Sequence, residues 1–102
     1  VRARALFLDR ENLLWAGTET GLYRQSAAGA WQRHPASDAL SGCMVRVIRQ
    51  AVDGAMWFGS HRCGVARLLG EQLQRFGPDA GDIGNHVRDI YFTDAHTVLI
   101  AT

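Results

Sequence analysis

Two histidines, a handful of arginines and a pair of cysteines are the residues here with chemistry to offer. His61 and Arg62 are adjacent in "SHRCG", and Asn85 and His86 are adjacent in "DIGNH". With Glu19 in "TETG" they form a set of polar side chains able to hydrogen-bond a small ligand, although solvated loop residues would look the same. Arg4, Arg46 and Arg88 recur at a fixed spacing of 42. Guanidinium groups repeated in that way could face a carboxylate or phosphate with bidentate geometry, or could serve packing within each repeat. Cys43 and Cys63 have no metal-ligand spacing, since no CxxC pair exists and no His lies four residues from another. No metal or cofactor is expected. G-x-S-x-G, H-E-x-x-H and P-loop patterns are all absent, so the residues do not point to an enzyme.

The elements that must position these residues follow from a repeat. "ENLLWAGTETGLYR" (11–24) is rewritten as "DGAMWFGSHRCGVAR" (53–67), and Trp15 and Trp57 lie 42 residues apart. The same step reaches Leu99 in "TVLIAT". Upstream, "ARALFLDREN" (3–12), "VRVIRQAVDG" (45–54) and "VRDIYFTDAH" (87–96) stay in register, and downstream "AWQRH" (30–34) matches "QLQRF" (72–76). One residue is inserted near Cys63 and one lost before Glu71. Repeat 1 therefore covers about 3–44, repeat 2 about 45–86, and a partial third 87–102.

Within a repeat, "VRVIRQA" is rich in β-branched residues and the Asp53–Gly54 pair signals a hairpin. "AMWFGS", "VARLLG" and "QLQRF" read as three further strands, and "GPDAGDIGNH" as a longer loop. No segment has a helical period of helical length. Four short antiparallel strands in about 42 residues make a β-propeller blade. The expected fold is all-β, with about two and a half blades in an incomplete ring. Trp15 and Trp57 should fill the space between blades, and Leu99 less fully. Gly17 and Gly59 should admit an adjacent sheet. Thr18 and Ser60 should satisfy a nearby backbone group. Asp9, Asp53 and Asp94 fall in or beside the first hairpins, where turn formers belong.

In a blade of this topology, "SDALSGCM" (37–44), "DIGNH" (82–86), "TETG" (18–21) and "SHRCG" (60–64) should crowd one rim. His61 and Arg62 stand where the first repeat has Glu19 and Thr20, so the second blade differs at the place where function would show. In a closed ring, Arg4, Arg46 and Arg88 would surround the mouth of the central channel.

Composition is that of an ordinary globular chain, with 47% hydrophobic and 21% charged residues. The net charge of +1, without a basic stripe, argues against a nucleic-acid partner. No run of about 18 apolar residues could span a membrane, and no leader-like segment is recognisable. The chain opens at Val1 in the middle of a strand pattern, as a piece of a longer protein would.

The two long phrases, with turn, W-x-G-T and G-L-x-R, resemble the repeats called two-component regulator propeller. "VRVI", "DALSGCMVR" and "GDIGNHVRD" are similar to that family's Leu-Ser-x-Asn-x-Val-Arg-x-Ile segment. The likeness covers essentially the whole chain, with a degenerate third copy. It implies an extracytoplasmic, periplasmic sensor segment of a membrane-anchored signalling protein whose output is a histidine kinase or diguanylate cyclase. The implied input is a carbohydrate fragment or another small molecule. The remaining blades, or copies of the same chain, would be its protein partners, with no membrane contact by this segment. Extracytoplasmic placement would permit a Cys43–Cys63 bridge, although two free, half-buried thiols are the expected state. Blades that only complete a ring are the alternative function. A third is a lyase-like propeller, because the streptogramin lyases share short W-x-T repeats and use a His with a Mg²⁺-bound substrate. His61 or His86 could act so, yet neither sits in that family's wider motif.

Overall fold

A computed structural model describes residues 3–40, 43–76, 87–94 and 97–101. The architecture is all-β. Strands β1 (Ala3–Leu8), β2 (Leu14–Thr18), β3 (Gly21–Gln25) and β4 (Trp31–Arg33) form a first antiparallel meander. β5 (Val45–Gln50), β6 (Met56–Ser60), β7 (Val65–Leu69) and β8 (Gln72–Phe76) form a second of the same order, and β9 (Asp89–Asp94) pairs with β10 (Thr97–Ala101) in a third, two-stranded sheet. These are two complete blades and the inner half of another, in an unclosed ring, as the repeat predicts.

The strands turn where the sequence says they should. Gly54 has φ 93° and Asn12, one repeat earlier, has φ 65°. Both lie in the left-handed region that Gly and Asn tolerate. Each amide donates to the carbonyl three residues back, Asn12 to Asp9 at 3.0 Å and Gly54 to Ala51 at 2.9 Å. Asp9 does more than form a turn. It is buried, its Oδ1 accepts from the amides of Glu11 and Leu13, and its Oδ2 accepts from Trp15 Nε1 at 2.8 Å. The carboxylate thus fixes both the hairpin and the ring that packs against the next blade.

The core lies between the blades. Trp15 and Leu22 of the first blade pack with Val45, Ile48, Met56 and Phe58 of the second. The second interface repeats this one: Val47, Val65 and the half-buried Trp57 meet Val87, Ile90, Val98 and Ile100. Gly17 and Gly59 make the approach possible. A Cβ on Gly17 would stand 2.7 Å from the Val45 carbonyl oxygen, and one on Gly59 2.6 Å from Val87 Cγ1. Leu99, at the Trp position of the third blade, is exposed, because no further sheet lies against it among the described residues.

Polar contacts reinforce the order of the blades. Arg10, at the first hairpin, donates from its guanidinium to the carbonyls of Ala51 and Val52, and its amide donates to Gln50 Oε1 at 2.9 Å. Arg49 pairs with Asp89 at 3.0 Å across the next interface. The connection between blades, expected as plain loop, contains a 3-10 turn over Pro35–Leu40. Its Ser37 hydroxyl, fully buried, accepts from the Leu22 amide and donates to the Leu22 carbonyl, both at 2.8 Å. The Leu22 carbonyl also accepts from the His34 amide at 2.8 Å, so the serine stands in for a strand partner at the Leu22 amide, which periodicity alone does not reveal.

Candidate functional site

One rim of the blades is built from the loops that follow β2 and β6 and from the segments that enter β5 and β9. The strands end there on a hydroxyl clamp. Thr18 Oγ1 donates to the Gly21 carbonyl at 2.9 Å and accepts from the Thr20 amide. Ser60 Oγ donates to the Gly64 carbonyl at 2.9 Å and accepts from the Cys63 amide. The two clamps are equivalent, and the second spans one more residue, which matches the insertion near Cys63. Both hydroxyl residues act on backbone groups, as expected of them.

Cys43 and Cys63 are joined in a disulfide with Cα atoms 5.4 Å apart. The expectation of two free, half-buried thiols is therefore wrong. Cys43 is only 2% exposed, and the bridge ties the entry to β5 to the loop after β6. The His61 amide donates to the carbonyls of both Cys43 and Met44, at 3.1 and 3.0 Å. These contacts bring the two chain segments within the geometry a disulfide requires. On the other side, the Val87 amide donates to the Ser60 carbonyl at 2.8 Å. One short loop is thus held by its own blade's entry and by the next blade's entry.

Of the five residues proposed as ligand contacts, three are described. Glu19 is exposed and pairs with Arg4 at 3.0 Å. His61 is half-buried and Arg62 exposed on the disulfide-tied loop. Asn85 and His86 lie outside the described residues. Arg4 and Arg46 each occupy the point where the strand register shifts, between Ala3 and Ala5 in β1 and between Val45 and Val47 in β5. A bulge of that kind re-aims a side chain at a sheet end. Arg88 stands one residue before β9, its amide bonded to the Ala101 carbonyl at 2.7 Å. The electrostatics of the rim change from blade to blade. In the first, Arg4 is matched by Glu19; in the second, the Glu19 position is His61 and the next residue adds Arg62.

A second feature, not singled out by the sequence reading, is a cleft of about 780 Å³ between the outer strands of the first two blades. Arg24, Gln32 and His34 line one wall, with Glu71 and Leu73 across from them. The Arg24 guanidinium sits 5.4 Å over the Trp15 ring, a cation–π arrangement. The His34 ring lies 5.2 Å from the same indole. His34 Nδ1 accepts from the Ala36 amide at 3.0 Å, which places the neutral ring's proton on Nε2. Burial lowers the His34 pKa below the usual histidine value, and the Arg24 charge lowers it further. The signal that could have found this cleft was in the repeat: position 34 is His where position 76 is Phe.

Among the described residues, no group of three or more His, Cys, Asp or Glu side chains is placed to hold a metal ion. No protein-family model and no curated protein matches the chain.

Proposed function

We propose that the chain is a ligand-sensing segment of an extracytoplasmic propeller, non-catalytic in itself, within a membrane-anchored two-component-type signalling protein. The reading rests on the resemblance of both long phrases to two-component regulator propeller repeats. The observation that carries it is the Ser60–Gly64 loop. Its position is held by a disulfide, a hydroxyl clamp and backbone bonds to two blades, yet its tip departs from the first repeat at His61 and Arg62. Rigid frames with divergent polar tips are how loops carry binding. The disulfide also favours an oxidising compartment, which agrees with periplasmic placement. A small molecule or carbohydrate fragment is the proposed input.

The test is the double substitution His61→Ala, Arg62→Ala in the full-length protein. Loss of ligand-dependent output, with thermal stability preserved, is the expected result. Unchanged output would overturn the sensing reading for this segment.

A second reading is favoured by the apolar faces left open at both ends. Leu6, Leu8 and Trp31 are exposed on the first sheet, Tyr91 and Leu99 on the last. Under that reading the chain supplies blades that complete a ring, with further blades or copies of itself, and other loops bind the ligand. His61 and Arg62 would then be dispensable.

A further inference from the structure

The two blade interfaces are built from the same positions, so each is a control for the other. In both, an Arg lies directly opposite the repeat's Trp in the strand register: Arg24 opposite Trp15, and Arg67 opposite Trp57. The outer end of the interface, however, is finished in two different ways. Between the second and third blades, Phe76 stacks on Trp57 with centroids 5.8 Å apart and planes 7° from parallel. Arg67 there pairs with Asp53 at 2.8 Å. That end is filled by an aromatic ring and neutralised by a carboxylate.

Between the first and second blades both elements differ. His34 replaces Phe76, and its ring is tilted 35° to Trp15. The Asp53 position is held by Glu11, which is exposed. No carboxylate among the described residues pairs with Arg24. The neighbouring Arg33 does have one, Asp38 at 2.9 Å. An arginine with no paired carboxylate among the described residues and an imidazole N–H donor therefore line one open cleft.

We propose that this cleft is an anion site, in which Arg24 and His34 bind the carboxylate or sulfate group of a small hydroxylated ligand. The ligand's anion takes the part that Asp53 plays toward Arg67. The cation–π contact with Trp15 holds the guanidinium carbon over the indole, and guanidinium N–H groups suit a bidentate acceptor. The cleft is far larger than one anion needs and falls in the range of small-molecule pockets. Gln32, Asp38 and Glu71 line the rest of it, and side chains of that mixture suit hydroxyl groups, which both donate and accept. The site lies at the outer edge of the blades and does not depend on the rim loop carrying His61 and Arg62.

The experiment is an NMR titration of the His34 ring in the 102-residue chain, at constant ionic strength. Sodium D-glucuronate and sodium sulfate are the anionic probes and D-glucose the neutral one. A bound anion beside His34 offsets the Arg24 charge, so the His34 midpoint rises by about half a pH unit or more. Glucose alone leaves it in place. A response to glucuronate exceeding that to sulfate supports the hydroxylated carboxylate, whereas the reverse assigns the site to sulfated ligands. Arg24→Gln abolishes the response to both, and His34→Phe, which copies the filled interface, abolishes binding measured calorimetrically. The proposal is overturned if neither anion moves the midpoint, if Arg24→Gln responds as wild type does, or if only Arg62→Ala removes the effect.

Discussion

Gly17 lies so close to Val45 that a single added carbon would stand 2.7 Å from the valine's carbonyl oxygen. The neighbour that would have to yield is backbone at the start of β5, and it cannot rotate away as a side chain could. Gly17→Ala should cost about 1–3 kcal/mol by overpacking, read as a lower denaturation midpoint. Gly59→Ala should cost less, since its nearest obstacle is the Val87 side chain. Equal effects at the two sites would contradict this reading of the interfaces.

Asp9→Ala should be among the most damaging single changes in the first blade. It strips the acceptor from Trp15 Nε1 and from two turn amides at once. A buried donor left without a partner costs about 1–3 kcal/mol on its own. Trp15 fluorescence during urea unfolding reports the loss, and Asp9→Asn should recover only part of it, because the amide carries one acceptor oxygen where the carboxylate has two.

Reduction of the Cys43–Cys63 bridge opens a loop with a sequence separation of 20. The chain-entropy model assigns such a closure about 3 kcal/mol. The melting temperature should fall on adding a reductant, and Cys43→Ser/Cys63→Ser should melt at the reduced value with or without it. Insensitivity of the wild type to reductant would count against the bridge.

The periodic part of this architecture was plain in the amino-acid order. Trp, Gly and hydroxyl residues recur because each blade must make the same contacts to its neighbours, so the 42-residue step located the strands, the close-approach glycines and the clamps. Single events left weaker marks. Cys43 and Cys63 could be placed on one rim, but their pairing depends on a Cα separation that only the folded chain defines. The 3-10 turn at Pro35–Leu40 follows from one serine bonding both ways to Leu22, a contact without periodicity. His34 lay in view as a mismatch to Phe76, but its meaning required knowing that Arg67 has an acid and that Arg24, among the described residues, does not.

His34 gives stability a pH dependence of definite sign. Its folded pKa is lowered from 6.5 by burial and by Arg24, so the unfolded chain takes up the proton first. The contribution is present above pH 6.5 and is lost as pH falls through the folded value. Thermal melts should show a downward slope across that window, which His34→Phe flattens. Asp53, its pKa lowered by the Ala55 amide and Arg67, gives a similar loss below the ordinary carboxylate range. Because this group is exposed, that effect should be small.

In isolation the 102-residue chain should self-associate. Leu6 is 62% exposed and Tyr91 66%, on faces equivalent to ones that are covered inside the chain. The occupant expected on the first sheet is the last sheet of a second copy, with Tyr91 and Leu99 standing where Phe7 and Trp15 stand in the internal interface. Light scattering should show species larger than a monomer, and Leu6→Lys/Trp31→Lys should shift them toward the monomer. A monodisperse wild-type monomer with cooperative unfolding would contradict this.

The Gly17–Val45 and Gly59–Val87 contacts join residues at one and the same separation along the chain, because each blade packs on its successor through the same positions. Forming a new interface therefore costs the same loop-closure entropy wherever it occurs, and the outlay does not grow with the number of blades. Such a chain can assemble by growth from any pair of adjacent blades and come apart from its ends. Its length can also change by duplication or loss of a whole 42-residue unit without re-registering any contact that remains.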